Sequence, residues 1–184
     1  MSDSKNMRGN ISGKSAKKLL QLLILKSTPQ DLPYSLSLTV QLSVFYILSG
    51  IVVLQTTLSP DDIYAGILLG FIVQYAFAYM VLAALNKNAR FMQTFCALIG
   101  AGLLFNLMSW PVFSVLANEA TNDALKSSMS LVFLLLISWE VLVKAHIFKH
   151  ALELKMFAAL VLSFSLFFIS VTLSQLLLPV STGS

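Results

Sequence analysis

Charged residues are scarce in this chain, and their scarcity excludes most soluble folds. Only 11% of the 184 residues are Asp, Glu, Lys or Arg, whereas 57% are hydrophobic. Soluble domains average roughly 25% charged and 45–50% apolar residues. The composition therefore predicts a protein that places most of its side chains in a lipid bilayer.

Cysteine is rare, and the sequence also lacks the pattern of a cleavable secretory signal. The single cysteine, Cys96, rules out an intramolecular disulfide or a cysteine-based metal cluster. The apolar stretch from Leu19 to Leu25 is short, and Lys26 follows it where a secretory signal would have a small-residue cleavage site. We expect the first spanning helix to act as an uncleaved anchor.

Long uncharged tracts are what the sequence has in abundance. Four of them contain no Asp, Glu, Lys or Arg: Leu32–Pro60, Ile63–Asn86, Phe91–Asn118 and Met156–Ser184. Each exceeds the roughly 18 residues that mark a spanning helix. A fifth apolar segment lies between Lys126 and Lys155 and is interrupted by Glu140 and Lys144.

The placement of basic residues favours five crossings. With the N-terminus in the cytoplasm, five crossings put 11 basic residues on the cytoplasmic side and Lys126 alone outside. If the segment that holds Glu140 failed to cross, the bias would fall to eight against four. Cytoplasmic loops of membrane proteins carry an excess of Lys and Arg, so five crossings is the better interpretation.

The predicted fold class is an all-α, polytopic membrane bundle of about five helices, with the N-terminus cytoplasmic and the C-terminus outside. The sequence divides into a cytoplasmic arm over 1–33, a transmembrane domain over 34–180 and an outer tail over 181–184. Asp61 and Asp62 mark a very short outer turn. The predicted spans are Leu36–Thr57, Ile63–Leu85, Phe91–Leu116, Ser128–Phe148 and Met156–Leu178.

The N-terminal arm contains a basic amphipathic helix. On a helical projection, Ala16, Leu19, Leu20 and Leu23 share one side, and the other side carries Lys14, Lys17 and Lys18. One interpretation places this helix in the membrane interface, with its lysines on anionic lipid headgroups. In the other, the lysines only set the topology and the leucines dock on the bundle. The segment has no aromatic residues for base stacking, so we expect no nucleic-acid partner.

Several polar and small residues lie inside the predicted spans. Gln74 and Asn106 fall near the middle of spans two and three, where an amide facing lipid would leave donors and acceptors unsatisfied. We expect them to bond to other helices or to line a substrate path. Four glycines, Gly66, Gly70, Gly100 and Gly102, predict close helix packing, and Gly66 with Gly70 also allows homodimerisation.

Glu140 and Lys144 are the most informative pair. They lie four residues apart in the order that favours an ion pair on one helix face. Ionisable residues inside a span are candidate functional sites. The two interpretations are a structural pair with Lys144 extended to the interface, and a role in proton, ion or partner recognition.

We expect no metal, cofactor or catalytic centre. His146, His150 and Glu153 share one helical face at spacings of four and three, which is a geometry able to hold a metal. These are the only two histidines, and Lys149 and Lys155 lie beside them, so a basic interfacial surface is the better interpretation. We find no nucleophile with a base and no paired carboxylates.

The layout resembles the Yip1 family of small polytopic membrane proteins over about Pro29–Leu178. The likeness consists of a cytoplasmic arm, five closely spaced helices, Trp139 and the polar stretch Lys144–Lys155. Eukaryotic members are associated with small GTPases and an Asp-Leu-Tyr-Gly-Pro motif, whereas here Asp31-Leu32 is followed by Pro33-Tyr34. The resemblance is nearest to compact bacterial members, and it implies a bacterial inner membrane location.

Two functions are compatible with these features. The first is a non-enzymatic scaffold, assembly or trafficking-type partner of other membrane proteins, since the loops are too short to hold a catalytic domain. The second is a transporter or channel subunit with Gln74, Asn106 and the Glu140–Lys144 pair along a polar path. The expected partners are the bilayer with anionic headgroups, other membrane proteins and a second copy of the chain.

Overall fold

The computed structural model describes residues 13, 15–55 and 60–177, and these residues form helices and turns without a β-strand. A short helix, α1, covers 15–23. The long helices are α2 (Leu36–Leu54), α3 (Pro60–Ala84), α4 (Phe91–Leu116), α5 (Asp123–Leu152) and α6 (Met156–Leu177). All five are long and apolar enough to cross a membrane, so the all-α class and the number of long apolar helices are confirmed.

Most predicted helix bounds that fall on described residues agree with the structure to within one residue, and three do not. α4 has the predicted bounds, whereas α5 begins five residues earlier and ends four residues later than predicted. It begins early because the Asn122 side chain caps it by accepting the Leu125 N–H at 2.8 Å. α3 begins at Pro60, three residues earlier than predicted, so Asp61 and Asp62 lie within a helix and not in a turn. The predicted ends Thr57 and Leu178 lie outside the described residues.

The bundle is tightly packed at one end and open at the other. α4 packs against α2, α3 and α5, and α6 packs against α3 and α5. Every residue of α4 from Thr94 to Gly102 is buried. In α5 no residue from Asp123 to Glu140 is buried, whereas seven of the last twelve are. The packed core therefore lies where α2, α4 and α6 begin and where α3 and α5 end.

That packed end also carries most of the positive charge, and we call it the basic end. The described basic residues there are Lys17, Lys18, Lys26, Lys87, Arg90, Lys149 and Lys155. Lys144 lies two turns inside α5, and Lys126 alone lies at the opposite end. This asymmetry is the pattern that the positive-inside rule describes.

α1 docks on the bundle. Leu22 is fully buried, Leu19 and Leu23 are less than 10% exposed, and all three belong to the core cluster that includes α4 and α5. A Cβ atom at Gly100 would overlap Leu19 Cδ2, so Leu19 fills the space that glycine leaves. The leucines dock on α4 and α5, as the second interpretation expects, and the contact of the lysines with anionic headgroups stays a prediction.

The polar face of α1 also differs from the projection. Ala16 and Leu20, which we predicted on the leucine side, are exposed. Lys17 is exposed and Lys18 is half-buried, 3.9 Å from Asp31, whereas Lys14 lies outside the described residues. Docking has rotated the helix relative to the predicted division, because Leu22 and not Leu20 faces the bundle.

Candidate functional site

Glu140 and Lys144 form the ion pair that their spacing predicts. Lys144 Nζ lies 2.6 Å from Glu140 Oε1. The Lys144 side chain is 17% exposed and the Glu140 side chain is 30% exposed. The pair lies at the junction in α5 between the exposed outer half and the buried inner half. Each charge inside the span is therefore neutralised by a partner one helical turn away.

Tyr46 of α2 completes the surroundings of this pair. Its phenol interacts electrostatically with both Lys144 and Glu140. Its ring packs over Gly102, where a Cβ atom would lie 2.8 Å from Tyr46 Cε2. Tyr46 was not predicted from the sequence. The available signal was Gly102, which predicts that another group packs closely against α4 but does not identify that group.

Two glycines give a matched test of this packing. Gly102→Ala should lower the free energy of unfolding by about 1–3 kcal/mol, because the rigid Tyr46 ring must move. Gly70→Ala should leave it unchanged or raise it by up to about 1 kcal/mol, since a Cβ there meets nothing within 4 Å and alanine favours a helix. Unfolding in graded detergent mixtures measures both, and equal shifts would contradict this account.

Asn106 is bonded between helices, as one interpretation expects. Its Nδ2 donates to Ser49 Oγ of α2 at 3.1 Å. Beside it lies a cavity of about 140 Å³ between α2, α3 and α4, lined by Tyr46, Gly50 and Asn106 among others. Tyr46 thus lines this cavity and also interacts electrostatically with the Glu140–Lys144 pair.

The remaining predicted residues of the spans behave differently. Gln74 is buried, but its Nε2 has no hydrogen-bond partner in the described structure. Gly66 and Gly70 line two cavities, and a Cβ atom at Gly70 would meet nothing within 4 Å, so Gly70 makes no close helix contact among the described residues. Gly100 and Gly102 do allow close approach, but of the Leu19 and Tyr46 side chains.

Side chains of α5 hold the end of α1. Trp139 Nε1 donates to the carbonyl of Leu23 at 3.1 Å, and His146 Nε2 lies 3.0 Å from the carbonyl of Ser27. The carbonyl can only accept, so His146 carries its proton on Nε2. Leu25 has a positive φ of 59°, and the Lys26 N–H bonds back to the Gln21 carbonyl at 2.8 Å, which ends α1 in a Schellman motif.

The segment after α1 bridges α4 and α5. Thr28 precedes a one-turn 3-10 helix, Pro29–Asp31, and its backbone N–H and hydroxyl both donate to Asp31 Oδ2. The Thr28 backbone hydrogen bond is the main cause that lowers the pKa of Asp31. Gln30 Nε2 donates to the His150 carbonyl at 2.8 Å, and Gln93 Nε2 donates to the Leu32 carbonyl at 2.9 Å. The arm is thus fixed to two long helices.

A second charged cluster joins the two loops of the basic end. Glu153 accepts hydrogen bonds from Lys87, at 2.7 Å, and from Arg90. Arg90 also donates to the Ala151 carbonyl at 3.1 Å. Glu153 has a positive φ of 59° at the end of α5, which turns its side chain out of the helical face that it was predicted to share with His146 and His150.

This cluster should make stability depend on pH in the acid range. The hydrogen bonds from Lys87 and then Arg90 hold the pKa of Glu153 below its ordinary value. The stabilisation is therefore present above about pH 4.3 and is lost as the pH falls through the lowered pKa. We expect Glu153→Gln to be less stable than wild type at pH 7, with the difference shrinking as the pH falls through the lowered pKa of Glu153. Glu119→Gln, at an exposed carboxylate without an ion pair among the described residues, should show no such convergence.

The histidines stand close together without a third ligand. The rings of His146 and His150 are 4.5 Å apart between centroids. Glu153 is occupied by Lys87 and Arg90. Among residues 13, 15–55 and 60–177, no group of three His, Cys, Asp or Glu side chains is placed to hold a metal ion.

Comparison of the chain with protein-family models, with curated proteins and with solved structures found no match.

Proposed function

We propose that this chain is a non-enzymatic, multi-pass membrane protein that serves as an assembly partner for other membrane helices. The proposal places the basic end in the cytoplasm, and the bacterial inner membrane is the compartment that the Yip1 resemblance favours. The observation that carries it is the outer half of α5, which has no buried side chain over eighteen residues, Asp123–Glu140.

The exposed surface of α5 has the pattern of a helix interface. Leu131, Leu134 and Leu135 are 60–70% exposed, and Ser128 and Ser138 flank them at spacings of three. These positions follow the i, i+3, i+4, i+7 repeat of one helix face. The serine hydroxyls bond to carbonyls of their own helix, so the face presents small and aliphatic groups. We call it the α5 stripe.

The hydrogen bonds and ion pairs of Asn106, Glu140 and Lys144, though not the unpaired Gln74 amide, support an assembly role over a transport role. Asn106 bonds to Ser49 and Glu140 pairs with Lys144, so these groups satisfy each other in pairs. Polar groups that line an aqueous path keep part of their hydrogen-bonding capacity for the passing solute. A pair that neutralises its own charges instead fixes the geometry of α5 next to the stripe.

Photo-crosslinking along α5 tests the proposal. A benzophenone amino acid at Leu131 or Leu135 should give discrete protein adducts in native membranes, whereas one at Leu136, on the half-buried side, should not. Val44, which is 50% exposed on α2, is the matched control and should give lipid adducts only. Adducts without helical periodicity, or lipid adducts alone from the stripe, would contradict the proposal.

Extraction in a mild detergent gives a second measure. We expect the full chain to co-purify with a membrane protein, or with a second copy of itself, in a complex that Leu135→Ser weakens. Gly70→Leu should disrupt a homodimer that forms through Gly66 and Gly70, and it should leave a complex at the α5 stripe intact. The variant therefore distinguishes the two interfaces. A monomer free of other proteins would count against the assembly role.

A transporter or channel subunit is the second candidate, and the position of Tyr46 favours it. Tyr46 lines the cavity beside Asn106 and also interacts electrostatically with Glu140 and Lys144. A polar path would use the cavity, Asn106 and the charged pair. In reconstituted vesicles with a measured flux, Glu140→Gln should change the flux or its pH dependence. Unchanged flux would remove this role.

A further inference from the structure

An apolar groove opens between α3 and α6 at the basic end. It measures about 570 Å³ and is lined by Val81 of α3, by Leu85 just after α3, and from α6 by Phe157, Ala158 and Val161 among others. Phe157 is 79% exposed and Leu85 is 43% exposed, so the groove faces the surroundings of the bundle. In a membrane it would open directly to the lipid chains.

Two lysines lie next to the lining residues of this groove in the chain. Lys155 immediately precedes α6 and is exposed, and it forms no ion pair within the described part of the chain. Lys87 follows the end of α3 by three residues, with its charge shared with Glu153. The groove thus combines an apolar trough inside the span with a free cation at the level where the headgroups begin.

We propose that this groove binds one acyl chain of an anionic phospholipid, whose phosphate lies beside Lys155. The occupant has to be apolar along its length and negative at one end, and a phospholipid with an anionic headgroup meets both requirements. A basic side chain next to a membrane surface attracts such lipids. The site is separate from α1, whose lysines were the membrane-surface residues that the sequence predicted.

The size of the groove favours a lipid over a helix. Its lining on α6 runs from Phe157 to Leu162, which is about 7.5 Å at 1.5 Å per residue. A partner helix is itself about 10 Å wide and needs a seat along most of its span. A single flexible chain fits a trough that extends over less than two turns.

The outer end of the same helix pair provides a contrast. There α3 and α6 flank a second groove of about 430 Å³, lined by Gly66 and Gly70 together with Ser170, Ser174 and Gln175. It has no basic residue at its edge. The charge at the basic end is therefore the feature that selects an anionic lipid there.

Native mass spectrometry of the full chain in a mild detergent tests the proposal. Phosphatidylglycerol and phosphatidylcholine with identical acyl chains are titrated separately. We expect the first phosphatidylglycerol to bind about fivefold more tightly, the factor that one lysine near a headgroup supplies. Equal binding of the two lipids by the wild-type protein would overturn the proposal.

Three variants locate the site. Lys155→Gln should abolish the preference for phosphatidylglycerol and leave phosphatidylcholine binding unchanged. Lys149→Gln removes the same charge from the same end, but from α5, which does not line the groove, and should keep the preference. Ala158→Phe fills the groove and should weaken both lipids. If Lys149→Gln acts like Lys155→Gln, or if filling the groove dissolves a dimer and leaves lipid binding intact, the groove is not the lipid site.

Discussion

Replacing Lys144 with Met is expected to lower the free energy of unfolding by about 3 kcal/mol. The change leaves the Glu140 carboxylate without the ammonium group that lies 2.6 Å from it inside the span. Breaking a buried ion pair by removing one partner costs about 3–5 kcal/mol, and the lower end applies because both side chains are partly exposed. Cys96 provides the measurement, since it is the only cysteine and is 1% exposed, so maleimide labelling in graded detergent reports unfolding.

The double variant separates charge pairing from a contribution of either residue alone. Glu140→Leu combined with Lys144→Met should recover the stability to within about 1 kcal/mol of wild type, because apolar replacements of a buried pair are often neutral. Glu140→Leu alone should be destabilising, since Lys144 is then unpaired next to Tyr46. If the two single changes were additive in the double variant, the pair would not be an energetic unit.

The helices were predictable because their signals are local. Four uncharged tracts mark four of the long apolar helices, and the apolar segment between Lys126 and Lys155 marks the fifth. The Glu140–Lys144 pair was predictable for the same reason, because residues four apart meet on any helix. Helix ends were less accurate, as the early start of α5 at the Asn122 cap shows.

Contacts between distant parts of the chain were not predictable from one sequence. Tyr46 of α2 interacts electrostatically with Lys144 of α5. Glu153 forms an ion pair with Arg90 of another loop. Nothing in the spacing of these residues specifies how α2 and α5 are arranged around α4. The same holds for α1, whose amphipathic pattern fits a membrane surface and a protein groove equally well. Its docking on the bundle becomes visible only in the structure, where Leu19 packs against Gly100.

The docking of α1 gives the second large expected effect. Leu22→Ala should raise the rate of trypsin cleavage at Lys17, Lys18 and Lys26 by thirtyfold or more. Leu22 is fully buried, and truncating a buried leucine costs about 2–5 kcal/mol, of which each 1.4 kcal/mol is a factor of ten in the detached population. Cleavage sites within or beside a docked helix are protected until it detaches.

Leu20→Ala is the matched control, because Leu20 belongs to the same helix but is 56% exposed. It should leave the cleavage rate unchanged if α1 is held by the bundle. If α1 were instead held by lipid, Leu20→Ala would accelerate cleavage in vesicles as much as Leu22→Ala, since the exposed leucine would then be the one in the bilayer. Equal protection of wild type and Leu22→Ala would show that Trp139 and His146 suffice to hold α1 through the Leu23 and Ser27 carbonyls. The comparison of the two leucine variants therefore shows whether the bundle or the lipid holds α1. The polar contacts from Trp139 and His146 fix the end of α1.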